Sequence, residues 1–193
     1  MRFLLGVDEA GRGPLAGPVA VGVVAVPEGF DVAQEFPDIA DSKKLSEKKR
    51  EEFFTLLEVR VRAGDVRFVV EFEDAEMIDK EGITSSVQRA LMRGVTMLAP
   101  NASSVRIQLD GALSAPHEYT QETVIHGDAL IPIISLASIA AKVTRDRLMA
   151  RFATQYPFYG FEKHKGYGTQ AHYEMLKKYG PCAIHRRSFI HTS

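Results

Sequence analysis

The sequence predicts an α/β protein in which a mixed sheet is flanked by helices. Strand-like apolar runs come early in the chain, and later strands alternate with segments whose apolar residues recur at helical spacing. The chain has 193 residues, 45% of them hydrophobic and 25% charged, which is typical of one globular domain. We therefore expect a single domain over residues 1–193, with a core of about 1–155 and a small C-terminal helical lobe of about 156–193.

Composition also indicates where the protein works. The single cysteine, Cys182, cannot close an intramolecular disulfide, which favours a reducing compartment. No apolar run reaches the roughly 18 residues that a membrane span needs, and acidic residues follow too early for a signal peptide. We expect a soluble cytoplasmic protein that does not contact membranes.

The first quarter of the chain predicts two strands and a helix. Residues 3–7 form a short apolar run, and residues 19–26 form a longer one that is apolar enough to be buried on both faces. Glycines and prolines between them, at residues 11–18, indicate a turn. Residues 27–42 resemble a loop, after which Ser46 is a candidate N-cap for a helix to about Leu57.

The middle of the chain predicts three more strands and a helix. Residues 66–72 resemble a strand, and apolar residues at helical spacing from Thr84 predict a helix that Pro100 ends. The alternating residues 105–109 predict a half-buried strand leading to Asp110. A short fifth strand is expected at residues 123–125.

The last third predicts helices. A long one spans residues 134–156, apolar at first and basic later, and a final one begins near Thr169 and ends at Gly180. The aromatic residues of the segment 156–161 between them are expected to pack the lobe against the sheet.

Charge is distributed unevenly along the chain. The formal net charge is −1, but residues 142–193 carry +7 and the preceding residues −8. Such asymmetry is found where a polyanion-binding face lies beside an acidic site, and equally where a protein has a basic surface helix and tail.

Four acidic residues follow predicted strands or apolar segments: Asp8, Glu9, Asp110 and Asp128. Carboxylates that converge at one sheet end repel each other unless cations neutralise them, and their oxygens suit Mg²⁺ or Mn²⁺. Acids in such positions also serve as helix caps and turn residues. Because successive strand residues point to opposite faces, Asp8 and Glu9 are expected to share a site only if the strand ends or distorts between them.

The glycine-rich segment after the first acidic pair is a second candidate. Gly11 and Gly13 allow backbone groups to approach a ligand closely. The segment lacks the endings of a P-loop and of the dinucleotide fingerprint, and by itself a tight turn between two strands explains it.

Seven segments in order along the chain make the interpretation specific. They read DEAGRGPLAGPV at 8–19, DSKKL at 41–45, DG at 110–111, GDA at 127–129, ASIAAKVTRD at 137–146, HKGYGT at 164–169 and PCAIHR at 181–186. Together they resemble ribonuclease HII, the type 2 ribonuclease H family. The chain departs from the family at His126, where a lysine is usual, and at Leu136, where a small residue is usual.

The resemblance implies a fold, an activity and cofactors. The fold is the ribonuclease H-like mixed five-stranded sheet with flanking helices. The activity is a two-metal endonuclease, using Mn²⁺ or Mg²⁺, that leaves 5′-phosphomonoester ends. It cuts the RNA strand of RNA–DNA hybrids and nicks 5′ of single ribonucleotides in duplex DNA, in ribonucleotide and primer removal. The chain is expected to act as a monomer, and the sequence identifies no protein partner.

The resemblance also assigns roles to residues. Asp8, Glu9, Asp110 and Asp128 become the catalytic and metal-binding acids, and Gly11, Arg12 and Gly13 sense the ribose 2′-OH through their backbone. Tyr167 stacks on the deoxyribose after the ribonucleotide. The remaining candidates resemble phosphate contacts: Ser42, Lys43, Lys142, His164 and Lys165.

Two other functions use similar features. A DNA-cutting resolvase or integrase would also cluster acids on this fold, but the glycine segment and Tyr167 favour recognition of a 2′-OH. A non-catalytic hybrid-binding module is the other alternative, and the retention of all four acids argues against it.

Overall fold

A computed structural model describes residues 2–39 and 45–190. Within these ranges one mixed sheet has the strand order β3-β2-β1-β4-β5. Its strands are β1 (Phe3–Ala10), β2 (Val19–Pro27), β3 (Arg67–Glu73), β4 (Val105–Asp110) and β5 (Thr120–Val124). The first three strands pair antiparallel, whereas β4 runs parallel to both β1 and β5. The predicted mixed sheet with flanking helices is confirmed.

Helices cover both faces of this sheet. They are α1 (Val32–Glu35), α2 (Glu47–Ala63), α3 (Ala75–Glu81), α4 (Ile83–Leu98), α5 (Gly127–Leu130), α6 (Pro132–Gln155), α7 (Phe161–His164) and α8 (Gln170–Tyr179). Two 3₁₀ turns lie at Ala102–Ser104 and Arg187–Phe189. Ser46 caps α2 as predicted, accepting a hydrogen bond from Lys49 N at 3.2 Å.

The long helix α6 lies directly on β1 and β2, and two glycines make this possible. A Cβ at Gly6 would lie 2.3 Å from the carbonyl oxygen of Ile133, and a Cβ at Gly22 equally close to that of Ala137. Helix α4 packs on the opposite face, against β2 and β3. The backbone of α6 is thereby held beside the strand that carries Asp8.

The C-terminal lobe packs differently from the expectation. Tyr159 and Phe161 are buried with Met149 of α6 and Ala16 of the glycine-rich segment, not with the sheet. The glycine-rich segment and residues 184–186 form a short antiparallel pair. Gly17 N donates to Ile184 O and Arg186 N to Leu15 O, both at 2.8 Å. The lobe is therefore part of the support of residues 11–18.

Several element boundaries differ from the sequence predictions. Strand β1 continues to Ala10 instead of ending at residue 7, α2 continues to Ala63, and β5 lies at Thr120–Val124 instead of 123–125. The helices α1, α3, α5 and α7 were not predicted, because four to seven residues are too few to show a helical period. None of the helices in the described ranges is long and apolar enough to span a bilayer.

Candidate active site

Parallel pairing of β1 and β4 brings the first two acids together. Val7 and Leu109 are the last aligned pair of these strands, so Asp8 and Asp110 directly follow the same pair on β1 and β4. Aligned residues of neighbouring strands project from the same face of a sheet. Asp8 is 3% exposed, and its carboxylate shares a hydrogen bond with the side chain of Ser138 on α6.

Glu9 joins this site without the expected break in the strand. β1 is continuous through this residue, which pairs with Val21 of β2, so the expectation that the strand ends or distorts there is wrong. Glu9 nevertheless lines the same pocket as Ser138, and the charge of Asp110 acts on it. Its Oε1 accepts a hydrogen bond from Arg12 Nη1 at 3.3 Å.

Asp128 reaches the site from the short helix α5. It is 1% exposed, and its N–H donates to Oδ1 of Asp110 at 3.4 Å. Ser135 at the start of α6 donates to the Asp128 carbonyl at 2.6 Å. The structure therefore places all four predicted acids around one end of the sheet, near the carboxyl ends of β1 and β4.

Burial and mutual repulsion disfavour the ionised forms of these acids. Burial, together with the charges of Glu9 and Asp110, holds the pKa of Asp8 well above its usual value, although the Ser138 hydrogen bond lowers it. Burial likewise raises the pKa of Glu9, which the Arg12 guanidinium partly offsets. A bound cation would reverse both effects, because it favours the ionised carboxylates.

The oxygen atoms that could bind a metal ion indicate which cations fit this site. Glu9 Oε2 is buried and has no hydrogen-bond donor among the described residues. No group of three or more His, Cys, Asp and Glu side chains in those residues is arranged to hold a metal ion. Carboxylate oxygens are the ligands that Mg²⁺ and Mn²⁺ prefer, so Glu9 Oε2 is a candidate ligand atom for either ion.

A pocket of about 340 Å³ opens beside the acids. It is lined by Glu9, Ala10, Gly11, Arg50, Ser138, Lys142 and Tyr167. Residues from β1, the glycine-rich segment, α2, α6 and the loop before α8 therefore meet around one opening next to the acidic edge.

Gly11 and Gly13 of the glycine-rich segment differ in whether a side chain would fit there. Gly11 has φ +89° and its missing Cβ would lie 2.1 Å from Arg145 Nε, so a side chain is excluded there. Gly13 is exposed, and a Cβ added to it would meet no atom within 4 Å. Arg12 between them is exposed and reaches back to Glu9.

Lys142 and Tyr167 form the far wall of the pocket. The Tyr167 ring is 42% exposed, and Lys142 Nζ lies 5.6 Å from its centroid. Lys142 also forms an ion pair with Asp146, one helical turn further along α6, at 2.9 Å. The exposed aromatic face and the neighbouring ammonium group suit a sugar–phosphate backbone.

The other candidate phosphate contacts are placed less favourably. Both ring nitrogens of His164 are engaged inside the lobe, Nε2 with Tyr159 O at 2.7 Å and Nδ1 as acceptor from Gly166 N at 3.2 Å. Lys165 Nζ donates to Glu162 O at 2.6 Å. Ser42 and Lys43 lie outside the described residues.

Sequence reasoning missed two residues of this site. Ser138, which shares a hydrogen bond with Asp8, stands inside the segment ASIAAKVTRD but was not singled out. Arg50 lines the pocket from α2, and its sequence context is that of an ordinary surface helix. The first could have been found from the resemblance, and the second has no sequence signal.

Comparisons with known proteins agree with this geometry. The chain is 43% identical over 188 residues to a ribonuclease HII of Bacillus velezensis, with 97% of this chain and 69% of that protein covered. It is 41% identical to the ribonuclease HII of Caldicellulosiruptor bescii, with 98% and 87% covered.

Solved structures show the same fold. The crystal structure of ribonuclease H2 from Pyrococcus horikoshii matches with a TM-score of 0.70 at 28% identity, covering 96% of this chain and 93% of that one. A chain of the PCNA:RNase HII complex from Archaeoglobus fulgidus matches with a TM-score of 0.78 at 22% identity, covering 99% and 96%. Since the ribonuclease HII family model also matches residues 5–192, this chain belongs to the ribonuclease HII family and is a hydrolase of the ribonuclease H type.

Proposed function

We propose that this protein is a divalent-metal-dependent endonuclease that hydrolyses the RNA strand of RNA–DNA hybrids and nicks 5′ of single ribonucleotides embedded in duplex DNA. The observation that supports this most is one pocket lined by Glu9, the glycine-rich segment and the exposed Tyr167, beside the buried Asp8 and the acids whose charges act on it. Ribonucleotide removal and RNA primer removal in the cytoplasm, by a monomer, are the corresponding cellular roles.

The acids supply the ligands of the proposed cofactors. Asp8, Glu9, Asp110 and Asp128 would hold Mn²⁺ or Mg²⁺, with two ions in the active complex. Bound there, the ions would activate a water and stabilise the leaving oxygen, giving a 5′-phosphomonoester. Ser138 keeps Asp8 oriented through their shared hydrogen bond, and Arg12 does the same for Glu9.

Recognition of the ribonucleotide falls to backbone and aromatic groups. The backbone of Gly11, Arg12 and Gly13 would contact the 2′-OH mainly through N–H groups, because the carbonyl oxygens of Gly11 and Arg12 accept hydrogen bonds from Arg186. Tyr167 presents its exposed ring to the next sugar. A flat ring packs on deoxyribose, whereas a 2′-OH there would lose its water against an apolar surface.

The phosphates of the substrate would be bound by basic side chains near the pocket. Lys142 lines it directly, and Lys165 follows on the lobe. Ser42 and Lys43 remain proposed contacts from the part of the chain outside the described residues. His164 also remains a proposed contact, although both of its ring nitrogens are engaged within the lobe.

The test uses two duplexes of identical sequence, all-DNA and with one ribonucleotide. In Mg²⁺ or Mn²⁺ and without ATP, we expect one nick, 5′ of the ribonucleotide, with a 5′-phosphate, and no nick after addition of EDTA. Asp110→Asn is the control for contaminating nucleases. Cutting of the all-DNA duplex would indicate a resolvase-like enzyme, and binding without cutting a non-catalytic module.

A further inference from the structure

Two arginines are buried behind the glycine-rich segment. Arg145 of α6 and Arg186 near the C-terminus are both 0% exposed. Neither lies within 4.0 Å of a carboxylate oxygen in the described part of the chain, although buried arginines are ordinarily paired with acids. Their charges are instead surrounded by backbone carbonyl oxygens.

Arg186 binds three carbonyl groups of the glycine-rich segment. Its Nη2 donates to Gly11 O at 2.7 Å, its Nη1 to Arg12 O at 2.8 Å, and its Nε to Gly17 O at 2.9 Å. A planar guanidinium fork can satisfy three fixed acceptors at once, which a lysine ammonium on a flexible stem does poorly.

Arg145 connects the same segment to the Tyr167 loop. It donates to Pro18 O at 2.8 Å, to Ala16 O at 3.1 Å and to Lys165 O at 3.0 Å. Its side chain also fills the space that a Cβ at Gly11 would need. One side chain thereby sets the separation of the two walls of the pocket.

The carbonyl contacts of Arg186 determine where two N–H groups point. No peptide bond in the described ranges is cis, and a trans peptide holds its C=O and N–H on opposite sides. Because the carbonyls of Gly11 and Arg12 point towards Arg186, the N–H groups of Arg12 and Gly13 point away from it.

Arg186 is itself held firmly. Its N–H donates to Leu15 O at 2.8 Å, within the antiparallel pair of this segment with residues 15–17. The carboxylate of Asp79 on α3 then accepts hydrogen bonds from Arg187 N at 2.7 Å and Ser188 N at 3.0 Å. Burial opposes but does not prevent the low pKa that these hydrogen bonds give Asp79.

We infer that Arg186 is a positioning residue for ribonucleotide recognition, which turns the N–H groups of Arg12 and Gly13 outward as a preformed pair of donors. Arg145 is its counterpart, which keeps these donors at a fixed distance from Tyr167. The inference rests on the proposed role of this segment in reading the ribose. It assigns specificity to a C-terminal side chain that does not itself reach the substrate.

The test compares Arg186→Lys with Arg93→Lys. Arg93 also makes three hydrogen bonds, to Glu71, Glu73 and Phe72 O, but none to residues 11–18. Both substitutions are placed in the Asp110→Asn background, so that binding to the all-DNA duplex and to the single-ribonucleotide duplex is measured without cutting. The ratio of the two Kd values reports recognition of the 2′-OH.

We expect Arg186→Lys to bring the two Kd values about tenfold closer together, mainly by weakening binding of the ribonucleotide duplex. We expect Arg93→Lys to leave the ratio of the two Kd values unchanged. In ¹⁵N spectra the amide signals of Arg12 and Gly13 should move in Arg186→Lys alone. Equal ratios for the two lysine variants would overturn the inference. If the parent Asp110→Asn protein binds both duplexes equally, the proposed ribonucleotide recognition fails instead.

A second variant covers the case in which Arg186→Lys does not fold. Asp79→Ala removes a half-buried acid and the hydrogen bonds that hold residues 187–188, while Arg186 is retained. We expect the Kd values for the two duplexes to move closer together, but by less than in Arg186→Lys. An unchanged ratio in folded Asp79→Ala would contradict the positioning role.

Discussion

At the scale of single residues, the site holds like charges together where burial opposes them. Asp8 lies beside Glu9 and Asp110, and Arg145 lies beside Arg186. Burial and the neighbouring Arg145 charge lower the pKa of Arg186 to about 9. Carbonyl oxygens stabilise the charges of the two arginines, whereas the ionised acids would need the proposed cations to stabilise them.

Asp8→Asn should stabilise the metal-free protein at neutral pH. The folded-state pKa of Asp8 is raised, so the folded protein binds this proton more tightly than the unfolded chain, and stability is lost as pH rises above the unfolded value of about 3.9. We expect a Tm a few degrees above wild type in EDTA at pH 7, no gain below about pH 4, and loss of nuclease activity.

The matched control for Asp8→Asn is Asp65→Asn, in the turn after α2. Asp65 is 42% exposed and pairs with Arg60 at 3.4 Å, so its substitution should not raise Tm. A lower Tm for Asp8→Asn than for wild type in EDTA at pH 7 would show that repulsion does not dominate at this acid.

Tyr167→Ala should separate the two proposed substrates. The 42% exposed ring is expected to contact the deoxyribose beside a single ribonucleotide, which a long hybrid lacks. We expect cutting at the single ribonucleotide to fall far more than cutting within the hybrid, measured on gels at matched enzyme concentration. Tyr179→Ala, another exposed tyrosine, is the control, and parallel losses for Tyr167→Ala would make Tyr167 a general binding residue.

At the scale of elements, a chain of histidines joins the C-terminal segment to the loop before α8. His185 Nδ1 accepts from Cys182 N at 2.9 Å, so its Nε2–H donates to His172 Nε2 at 3.0 Å. His172 Nδ1–H then donates to Tyr167 O at 2.9 Å. His164 stacks on His172 with ring centroids 4.4 Å apart. This pattern requires His172 and His185 to be neutral.

The lobe should lose stability in mild acid. Burial, together with the nearby His172, lowers the pKa of His185 to about 4, and burial lowers the pKa of His172. The unfolded chain therefore takes up these protons first, and stability rises from about pH 4 to about pH 6.5 and is constant above. We expect His185→Gln to reduce the difference in unfolding free energy between pH 5 and pH 7.

The control is His117→Gln, because the side chain of His117 is fully exposed. We expect this variant to show the same pH dependence of the unfolding free energy as wild type. Urea unfolding at both pH values gives the comparison. If His185→Gln and wild type lose the same free energy on acidification, His185 does not carry this dependence.

The success of sequence reasoning also differs between elements. The long helices were predicted close to their observed bounds, α4 from apolar residues at helical spacing and α6 from a long segment that is apolar at first and basic later. Helix α3 was missed although Asp74 caps it, accepting from Met77 N at 2.8 Å, because seven residues show no repeat. The end of β1 was placed too early because polar residues at 8 and 9 suggested a boundary, whereas their burial comes from tertiary contacts.

At the scale of the whole molecule, what could not be predicted is contact between distant parts of the chain. The four acids were found because each follows a predicted strand or apolar segment and matches a family segment, and sheet topology brings such positions together. Arg145 and Arg186 donate to carbonyl groups 127 to 175 residues away within the glycine-rich segment. No local pattern distinguishes them from surface arginines, which are the usual case.

The uneven charge of the chain has a structural counterpart. Residues 142–193, with a charge of +7, comprise most of α6 and the lobe, which flank the pocket opposite the acids of β1 and β4. In the proposed function a nucleic acid would lie along the exposed part of this basic surface, which excludes the buried Arg145 and Arg186, while its reacting phosphate would face the acids. Binding by such a surface is expected to weaken steeply with salt, because phosphate contacts release counterions.

Lys165→Ala tests whether this surface is the phosphate path. Lys165 Nζ donates to Glu162 O at 2.6 Å and lies 3.7 Å from the exposed Glu47 carboxylate, so donors remain for a phosphate. We expect the slope of log K against log[salt] for hybrid binding to decrease by about one unit. Lys80→Ala, which removes the same charge from α3 on the other face of the sheet, should leave the slope unchanged. Equal slopes for Lys165→Ala and wild type would place the backbone elsewhere, because a lysine that neutralises a phosphate cannot be removed without changing the number of counterions released.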